Sequence, residues 1–246
     1  MKNSQEWKPT KYIFKGDKIF STKDIKEVGA DSRLLTDEVA SFYSEQIPKY
    51  AKGKLIDLGC GKIPLYGFYK DFVEDVFCVD WGNSLHKNPY LDLEWDINKK
   101  LDFSKNKYYD TIILSDVLEH ISAPKNLINE MYRILKRGGI LLMTVPFYYW
   151  IHEKPFDYYR YTHFGLEKMF KESGFEIIEI KSTGGILEVM ADIGAKTLIH
   201  LPMGRFFAIF VQNVAKFIGK RKIGKKLRKR TEFTFPLGYG LVAKKP

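Results

Sequence analysis

From Lys54 to about residue 180, short apolar runs alternate with apolar residues at helical spacing. Leu55–Leu58, Val76–Asp80, Thr111–Leu114, Ile140–Val145 and Phe175–Ile180 have the length and composition of buried strands. Between them, Leu65, Phe68, Tyr69 and Phe72 follow Pro64 at helical spacing, and Leu127, Met131, Ile134 and Leu135 mark a second helix face. Gly138-Gly139 predicts a left-handed cap on that second helix. Thr162 predicts the cap of a third helix, running through Phe170 and stopping at Gly174. Residues 81–109 read as irregular and polar, apart from a short segment at Asp92–Ile97. Leu237–Ala243 predicts a last strand. Strands alternating with helices imply βαβ units, hence an α/β fold with a mostly parallel, Rossmann-like sheet and helices on both faces.

The flanks follow other rules. Residues 1–53 show no strong strand pattern; Leu35, Val39, Phe42 and Tyr43 give Ser32–Tyr50 a helical spacing that ends near Pro48. This predicts an N-terminal helical arm, either folded over a ligand site or packed on the sheet edge. Residues 54–185 plus 236–246 form the predicted core, and 186–235 an inserted amphipathic segment. In that segment Phe206–Val211, Val214, Phe217 and Ile218 are apolar, while Arg205, Gln212 and Lys216 share another side. Its longest uncharged run, Phe206–Ala215, is too short to span a bilayer.

Charge sharpens the partition. The chain of 246 residues carries a net charge of +10, yet Ile193–Thr231 holds eleven bases and no acid. Without that stretch, 29 basic residues face 30 acidic ones, so a near-neutral domain carries one basic segment. Three readings fit residues 205–230: a solvated structural helix, an amphipathic helix on an anionic membrane, or a phosphate-binding patch for nucleic acid. The phenylalanines weigh against nucleic acid, which needs no such apolar face. Two cysteines, Cys60 and Cys78, make no disulfide framework, and Met1–Phe20 has no signal-peptide core. The expected location is cytoplasmic, with the basic segment peripheral on the inner membrane face. Oligomeric state is not legible.

Ligands of parallel sheets bind at the carboxyl ends of the strands. There the chain places Asp57-Leu58-Gly59-Cys60-Gly61, Asp80-Trp81, Asp96-Ile97, Ser115–His120 and Pro146–Tyr161. A dinucleotide fingerprint needs a third glycine where this chain has Pro64. An acid before Gly-x-Gly suits a ligand with a cationic amino-acid head instead, held by Asp57 directly or through water. Asp80 can accept from two ribose hydroxyls, Trp81 offers a flat face to a base, and Asp96 with Ile97 can flank an adenine. Each acid also has a plain reading, as strand-end cap or turn residue.

Taken in order, Leu55–Gly61, Val79-Asp80, Asp96-Ile97, Tyr108–His120 and Arg133–Gly139 resemble the successive motifs of class I S-adenosylmethionine-dependent methyltransferases of the type 11 kind. The resemblance covers roughly residues 53–182, and Gly238–Lys244 resembles the family's closing strand. It departs at Ile63, where many members have a third glycine. It implies a seven-stranded sheet whose last strand is antiparallel, with 186–235 inserted before that strand. It implies S-adenosylmethionine as cofactor, leaving S-adenosylhomocysteine. Asp57, Gly59, Cys60 and Gly61 would line the methionine portion, Asp80 the ribose, Trp81, Asp96 and Ile97 the adenine, and Ser115 the sulfonium.

The stretch Phe147–Thr162, which lies where the acceptor should bind, resembles a His…Pro-x-Asp-Tyr-x-Arg-Tyr-Thr segment seen in many members of the group. Methyl transfer to a hydroxyl needs alignment and removal of a proton. His152 is the first candidate base and His120 the second; Asp157 can orient the histidine, and Arg160 can hold Asp157 or a substrate anion. The tyrosines and the Asp157–Arg160 pair also read as loop bracing, and His163 as a helix start. No metal ligands are expected. The expected acceptor is a small molecule, sugar or lipid-linked compound, methylated at oxygen. RNA as acceptor, through the basic segment, and a non-catalytic cofactor-binding or partner-binding module are the alternatives.

Overall fold

The computed structural model describes residues 1–82 and 88–246; the part of the irregular 81–109 reading that falls on 83–87 lies outside them. Among the described residues, nine strands run in chain order: β1 (Tyr12–Lys15), β2 (Lys18–Ser21), β3 (Lys54–Leu58), β4 (Asp75–Asp80), β5 (Leu93–Glu94), β6 (Tyr109–Ser115), β7 (Leu135–Pro146), β8 (Glu176–Thr183) and β9 (Gly238–Lys244). Seven helices join them: α1 (Arg33–Tyr50), α2 (Tyr66–Tyr69), α3 (Pro124–Ile134), α4 (His163–Glu172), α5 (Ile186–Leu198), α6 (Gly204–Lys220) and α7 (Lys222–Thr231). The main sheet has the order β5-β4-β3-β6-β7-β9-β8. Neighbours are parallel from β5 to β7, and β9 lies antiparallel between β7 and β8.

Alternation along each central strand builds two cores. Ile56, Leu58, Ile112, Leu114, Leu141 and Met143 point to one face, under α3 and α4. Leu55, Ile113, Ile140 and Leu142 point to the other, under α1 and α2. On α3, Leu127, Met131 and Ile134 are buried as the spacing predicts, joined by Ile128, whereas Leu135 begins β7 and is no part of the helix. Thr162 caps α4: its Oγ1 accepts from the Gly165 N–H at 3.1 Å, an interaction worth about 1 kcal/mol.

Three local expectations are corrected. The helix after Pro64 is a single turn, α2. Gly138-Gly139 does not cap α3, which already ends at Ile134. Instead residues 136–139 form an irregularity inside β7, where Tyr109 faces Leu135 but Thr111 faces Ile140. Gly138 takes the positive φ this requires, +75°. The N-terminal arm also contains an antiparallel hairpin, β1–β2, besides α1.

The inserted segment is the helical trio α5–α7, and α6 sits with its polar side inward. Gln212 is buried; its Oε1 accepts from the Leu34 N–H at 2.7 Å, and its Nε2 donates to the Ala30 and Ala208 carbonyls. Lys216 pairs with Asp37 of α1. Gly204, Ala208 and Ala215 complete the packed stripe. The phenylalanines turn to solvent: Phe206, Phe210 and Phe217 are each 57–62% exposed. None of the described helices is long and apolar enough to cross a membrane.

Candidate active site

A cleft of about 370 Å³ opens at the carboxyl ends of β3 and β6. The glycine turn contributes Asp57, Gly59, Cys60 and Gly61, and β6 contributes Ser115 and Asp116. Glu119 and the loop after β7, with Pro146, Tyr149, His152 and Glu153, form the facing wall. The N-terminal arm lies across the mouth, with Thr10, Lys11, residues 26–29 and Ser32 among the lining. Lys62 Nζ reaches Glu27 Oε1 at 2.8 Å and ties the arm to the glycine turn.

Backbone conformation explains the turn. Gly59 has φ +67°, and a Cβ there would lie 2.6 Å from Val117 Cγ2. Any side chain would therefore be strained twice. Ile63, the departure from the family pattern, also has positive φ, +53°. A β-branched residue in that region is costly, by roughly 1–2 kcal/mol. Its complete burial in the α1–α2 core offsets that cost.

Asp57 is buried at the end of β3, where its Oδ2 accepts from the Tyr69 hydroxyl at 3.0 Å. Burial drives its pKa up to about 7; the Tyr69 bond works against this and nearby Asp80 adds to it. Ser115 Oγ lies 3.4 Å from Thr144 Oγ1. Asp116, at φ +53°, turns into the cleft 3.6 Å from Lys11 Nζ.

Asp80, Trp81, Asp96 and Ile97 are not among the cleft-lining residues. Asp80 ends β4, next to β3, and its Oδ1 accepts from the Trp81 N–H at 2.8 Å. The Trp81 ring meets Phe156 of the 147–162 loop edge-on, with centroids 4.9 Å apart. Asp96 Oδ1 accepts from the backbone N–H and the side-chain amide of Asn98, an Asx-turn arrangement. Ile97 is buried in the α3–α4 core.

The loop folds back onto the segment after β6. The Tyr158 and Tyr159 N–H groups donate to the Glu119 carbonyl, and the Tyr161 hydroxyl donates to the Leu118 carbonyl at 3.0 Å. His163 is the first residue of α4. This packing brings His120 and His152 together, with Nε2 atoms 3.1 Å apart. His152 Nδ1 lies 3.2 Å from Asp157 Oδ2. Arg160 grips both oxygens of Asp157, at 2.6 and 2.8 Å, and also donates to the Tyr159 and Trp150 carbonyls. Of its two expected roles, Arg160 performs that of holding Asp157.

Electrostatics follow from this geometry. Burial raises the Asp157 carboxyl, but Arg160, the His152 N–H and the His152 ring more than offset it and bring its pKa to about 2. Burial, then the neighbouring His120, lowers His152 below its ordinary 6.5, with Asp157 opposing both. Glu119 is fully buried and neither carboxylate oxygen has a hydrogen-bond partner among the described residues. Burial, then Asp116, pushes its pKa well above 4.5. Asp116, Glu119 and Tyr149 fall within the strand-end segments that the sequence points to, without being singled out there; Tyr69, which reaches Asp57 from α2, lies outside them.

The fold has solved counterparts. An S-adenosylmethionine-dependent methyltransferase from Archaeoglobus fulgidus superposes with a TM-score of 0.57 at 15% identity, covering 87% of this chain and 97% of that one. A complex of a Haloferax volcanii Trm112 methyltransferase activator with a putative methyltransferase gives a TM-score of 0.54 at 16% identity, covering 92% and 100%. The cyclase SpnF gives 0.53 at 16% identity, covering 87% and 82%. At these identities the likeness concerns the fold, which is that of class I methyltransferases. No curated protein matches by sequence. A methyltransferase-domain family model matches residues 31–180, more than half of the chain and most of the cleft lining, and the chain belongs to that family.

Proposed function

We propose that this methyltransferase modifies a hydroxyl of a lipid-linked acceptor at an anionic membrane surface. The methyl donor is S-adenosylmethionine. The observation that carries the reading is the sharing of one cleft by the Asp57–Gly61 turn and the loop bearing His152.

The residues present suit this donor. A cleft of about 370 Å³ is in the range of small-ligand sites. Asp57 offers a buried carboxylate to an ammonium group, and Gly59–Gly61 lets the backbone approach. Asp80 and Trp81, at the end of the adjacent strand, are assigned to the ribose and base, and Asp96 with Ile97 to the adenine edge. Ser115 and Cys60 are assigned to the methionine end. When bound, the donor supplies a methyl group on a sulfonium, already activated for displacement. The chain must then align the acceptor and take its proton. His152 Nε2 is the proton acceptor in this reading, with Asp157 positioned by Arg160 to stabilise the imidazolium. His120 packs against it as the second nitrogen base.

The outward phenylalanines of α6 support the membrane reading. An apolar stripe faces solvent while the polar side is packed. Beside it, Lys220, Lys222, Lys225, Lys226, Lys229 and Arg230 make no ion pair with a described residue. Phenylalanines flanked by unpaired lysines match an anionic bilayer surface, with rings at the acyl boundary and amines among headgroups. α5 of the same insertion sets Lys196 Nζ over the Tyr149 ring at 4.2 Å, so the insertion touches the acceptor loop.

Two measurements test this. Saturating S-adenosylhomocysteine, at about 100 times Kd, is expected to stabilise the protein by roughly 2.7 kcal/mol, a rise of about 5–10 °C in Tm. Absence of any shift would end the donor assignment. Co-sedimentation is expected with vesicles containing phosphatidylserine and not with neutral ones. Replacing Lys220, Lys222, Lys225 and Lys226 by Glu removes about 1 kcal/mol per site, so affinity should fall roughly 10³-fold or more. Equal binding by the quadruple variant, or capture of RNA in place of vesicles, would overturn the membrane reading.

A further inference from the structure

We infer that Glu119, His120 and His152 form a binding site for a divalent transition-metal cation at the acceptor end of the cleft. This deepens the proposed function, since the cation would sit where the acceptor oxygen must lie.

The argument begins with protons. His120 Nδ1 is 3.0 Å from the Phe156 carbonyl oxygen, which can only accept. Its Nδ1 therefore carries the hydrogen, and in the neutral ring Nε2 presents a lone pair. His152 Nδ1 lies 3.2 Å from Asp157 Oδ2 without the alignment of a hydrogen bond, and the negative charge beside it favours the hydrogen on that nitrogen. Two Nε2 lone pairs then face each other across 3.1 Å. Glu119 Oε1 stands 3.7 Å from the first and 3.8 Å from the second. Three donor atoms thus converge on one point, and all lie within 4.8 Å of one another.

Glu119 makes the arrangement more than a chance approach of two histidines. It is wholly buried, and both of its oxygens lack a hydrogen-bond partner among the described residues. A buried carboxylate without a partner costs several kcal/mol. Either a proton, which burial favours while the site is empty, or a cation must neutralise it. Arg160 is the nearest guanidinium in charge terms, but its donors go to Asp157 and backbone carbonyls. Lys11 faces Asp116 instead. A cation between Glu119 and the two rings satisfies all three groups at once.

Chemistry selects the class of ion. Two imidazoles and one carboxylate are the donor set of catalytic zinc and of related first-row divalent metals, and suit magnesium or calcium poorly. Metal–nitrogen bonds of about 2.1 Å at angles of 90–110° place the nitrogens roughly 3.0–3.4 Å apart, which the observed 3.1 Å matches. Glu119 must close in by a few tenths of an ångström. The outer partners also fit: a ligating histidine usually donates its other N–H to a carbonyl or carboxylate, as His120 does to Phe156, and Asp157 stands 3.2 Å from the same nitrogen of His152. Glu153 Oε2, 3.9 Å from His120 Nε2, stands by as a further ligand on an exposed loop. Glu119 and His152 both line the cleft, so the remaining coordination positions open to the acceptor. A hydroxyl bound there loses its proton to solvent more readily; without the cation, His152 takes that proton.

The test uses the untagged full chain, stripped with a chelator. Equilibrium dialysis against zinc is expected to give one ion per chain, and cobalt(II) to give visible absorption of a low-coordinate nitrogen and oxygen site. His120→Ala and Glu119→Gln should each weaken binding more than 100-fold. Asp157→Asn, acting through His152, should weaken it roughly 10–100-fold. S-adenosylhomocysteine shifts measured on the same samples report folding and keep the two claims apart. A cofactor shift with no stoichiometric zinc overturns the metal site alone. Zinc binding without a cofactor shift overturns the donor assignment alone. Zinc binding that survives His120→Ala also overturns the site proposed here.

Discussion

Asp57→Asn is expected to raise the thermal midpoint of the unliganded protein above pH 7 while weakening its hold on the cofactor. The two effects have one origin. Asp57 is buried beside Tyr69, and its pKa is driven by burial from 3.8 to about 7. Below pH 4 the group is protonated both folded and unfolded and contributes no pH-dependent term. Between pH 4 and 7 the unfolded chain releases the proton that the folded chain keeps, so stability falls as pH rises. Above pH 7 both states are ionised, and the folded state bears the whole cost. Three pH units of displacement correspond to about 4 kcal/mol, an upper bound once an amide must be housed in the same place. Asparagine keeps an acceptor for the Tyr69 hydroxyl and carries no charge. A gain of roughly 2–4 kcal/mol at pH 8, or about 4–16 °C, is therefore expected, vanishing near pH 4. The same change removes the negative partner of the cofactor's ammonium group, and a charged hydrogen bond is worth about 1.5–3 kcal/mol, so affinity should drop roughly 10–150-fold. Scanning fluorimetry from pH 4 to 8.5 and calorimetric titration with S-adenosylhomocysteine measure both. A stability difference that does not grow with pH would show that burial is not what holds the carboxyl, and unchanged affinity would remove Asp57 from the cofactor site.

The sheet is readable in the sequence because central parallel strands are covered on both faces, so each appears as an apolar run. Leu55–Leu58, Thr111–Leu114 and Ile140–Val145 all fall inside β3, β6 and β7. The hairpin β1–β2 escapes because its strands are four residues long, flanked by lysines, and bury only Tyr12 and Ile19. The glycine turn is legible through its acid and its spacing. The burial of Glu119 is not, since it depends on a loop some forty residues later that donates two N–H groups to its carbonyl. Periodicity likewise finds the two sides of α6 but not which one faces the protein. The decision rests with Gln212, whose amide satisfies backbone groups at Ala30 and Leu34 far away in the chain. Side-chain pattern thus fixes elements, while buried polar contacts fix their orientation, and only the folded chain shows those.

In chelator-treated protein, His152→Ala is expected to lower kcat roughly 10²–10⁴-fold while cofactor affinity stays within about twofold. Ala removes the nitrogen that faces the cleft but leaves Asp57 and the glycine turn in place, so the loss should appear in the chemical step. The pH profile gives a sharper test. Burial, then the charge of the neighbouring His120 ring, holds the His152 pKa below 6.5, while Asp157 pulls the other way. The parent should therefore stay active through neutral pH and lose rate only as pH falls below 6.5. Asp157→Asn removes the group that favours the imidazolium. The base becomes weaker, so kcat should fall and the acid limb should move to still lower pH. If Asp157 and Arg160 merely brace the loop, the variant loses rate or stability with the limb in its original position. An acid limb that Asp157→Asn leaves in place, or a His152→Ala variant retaining a tenth or more of the parent kcat, would take the proton transfer away from His152.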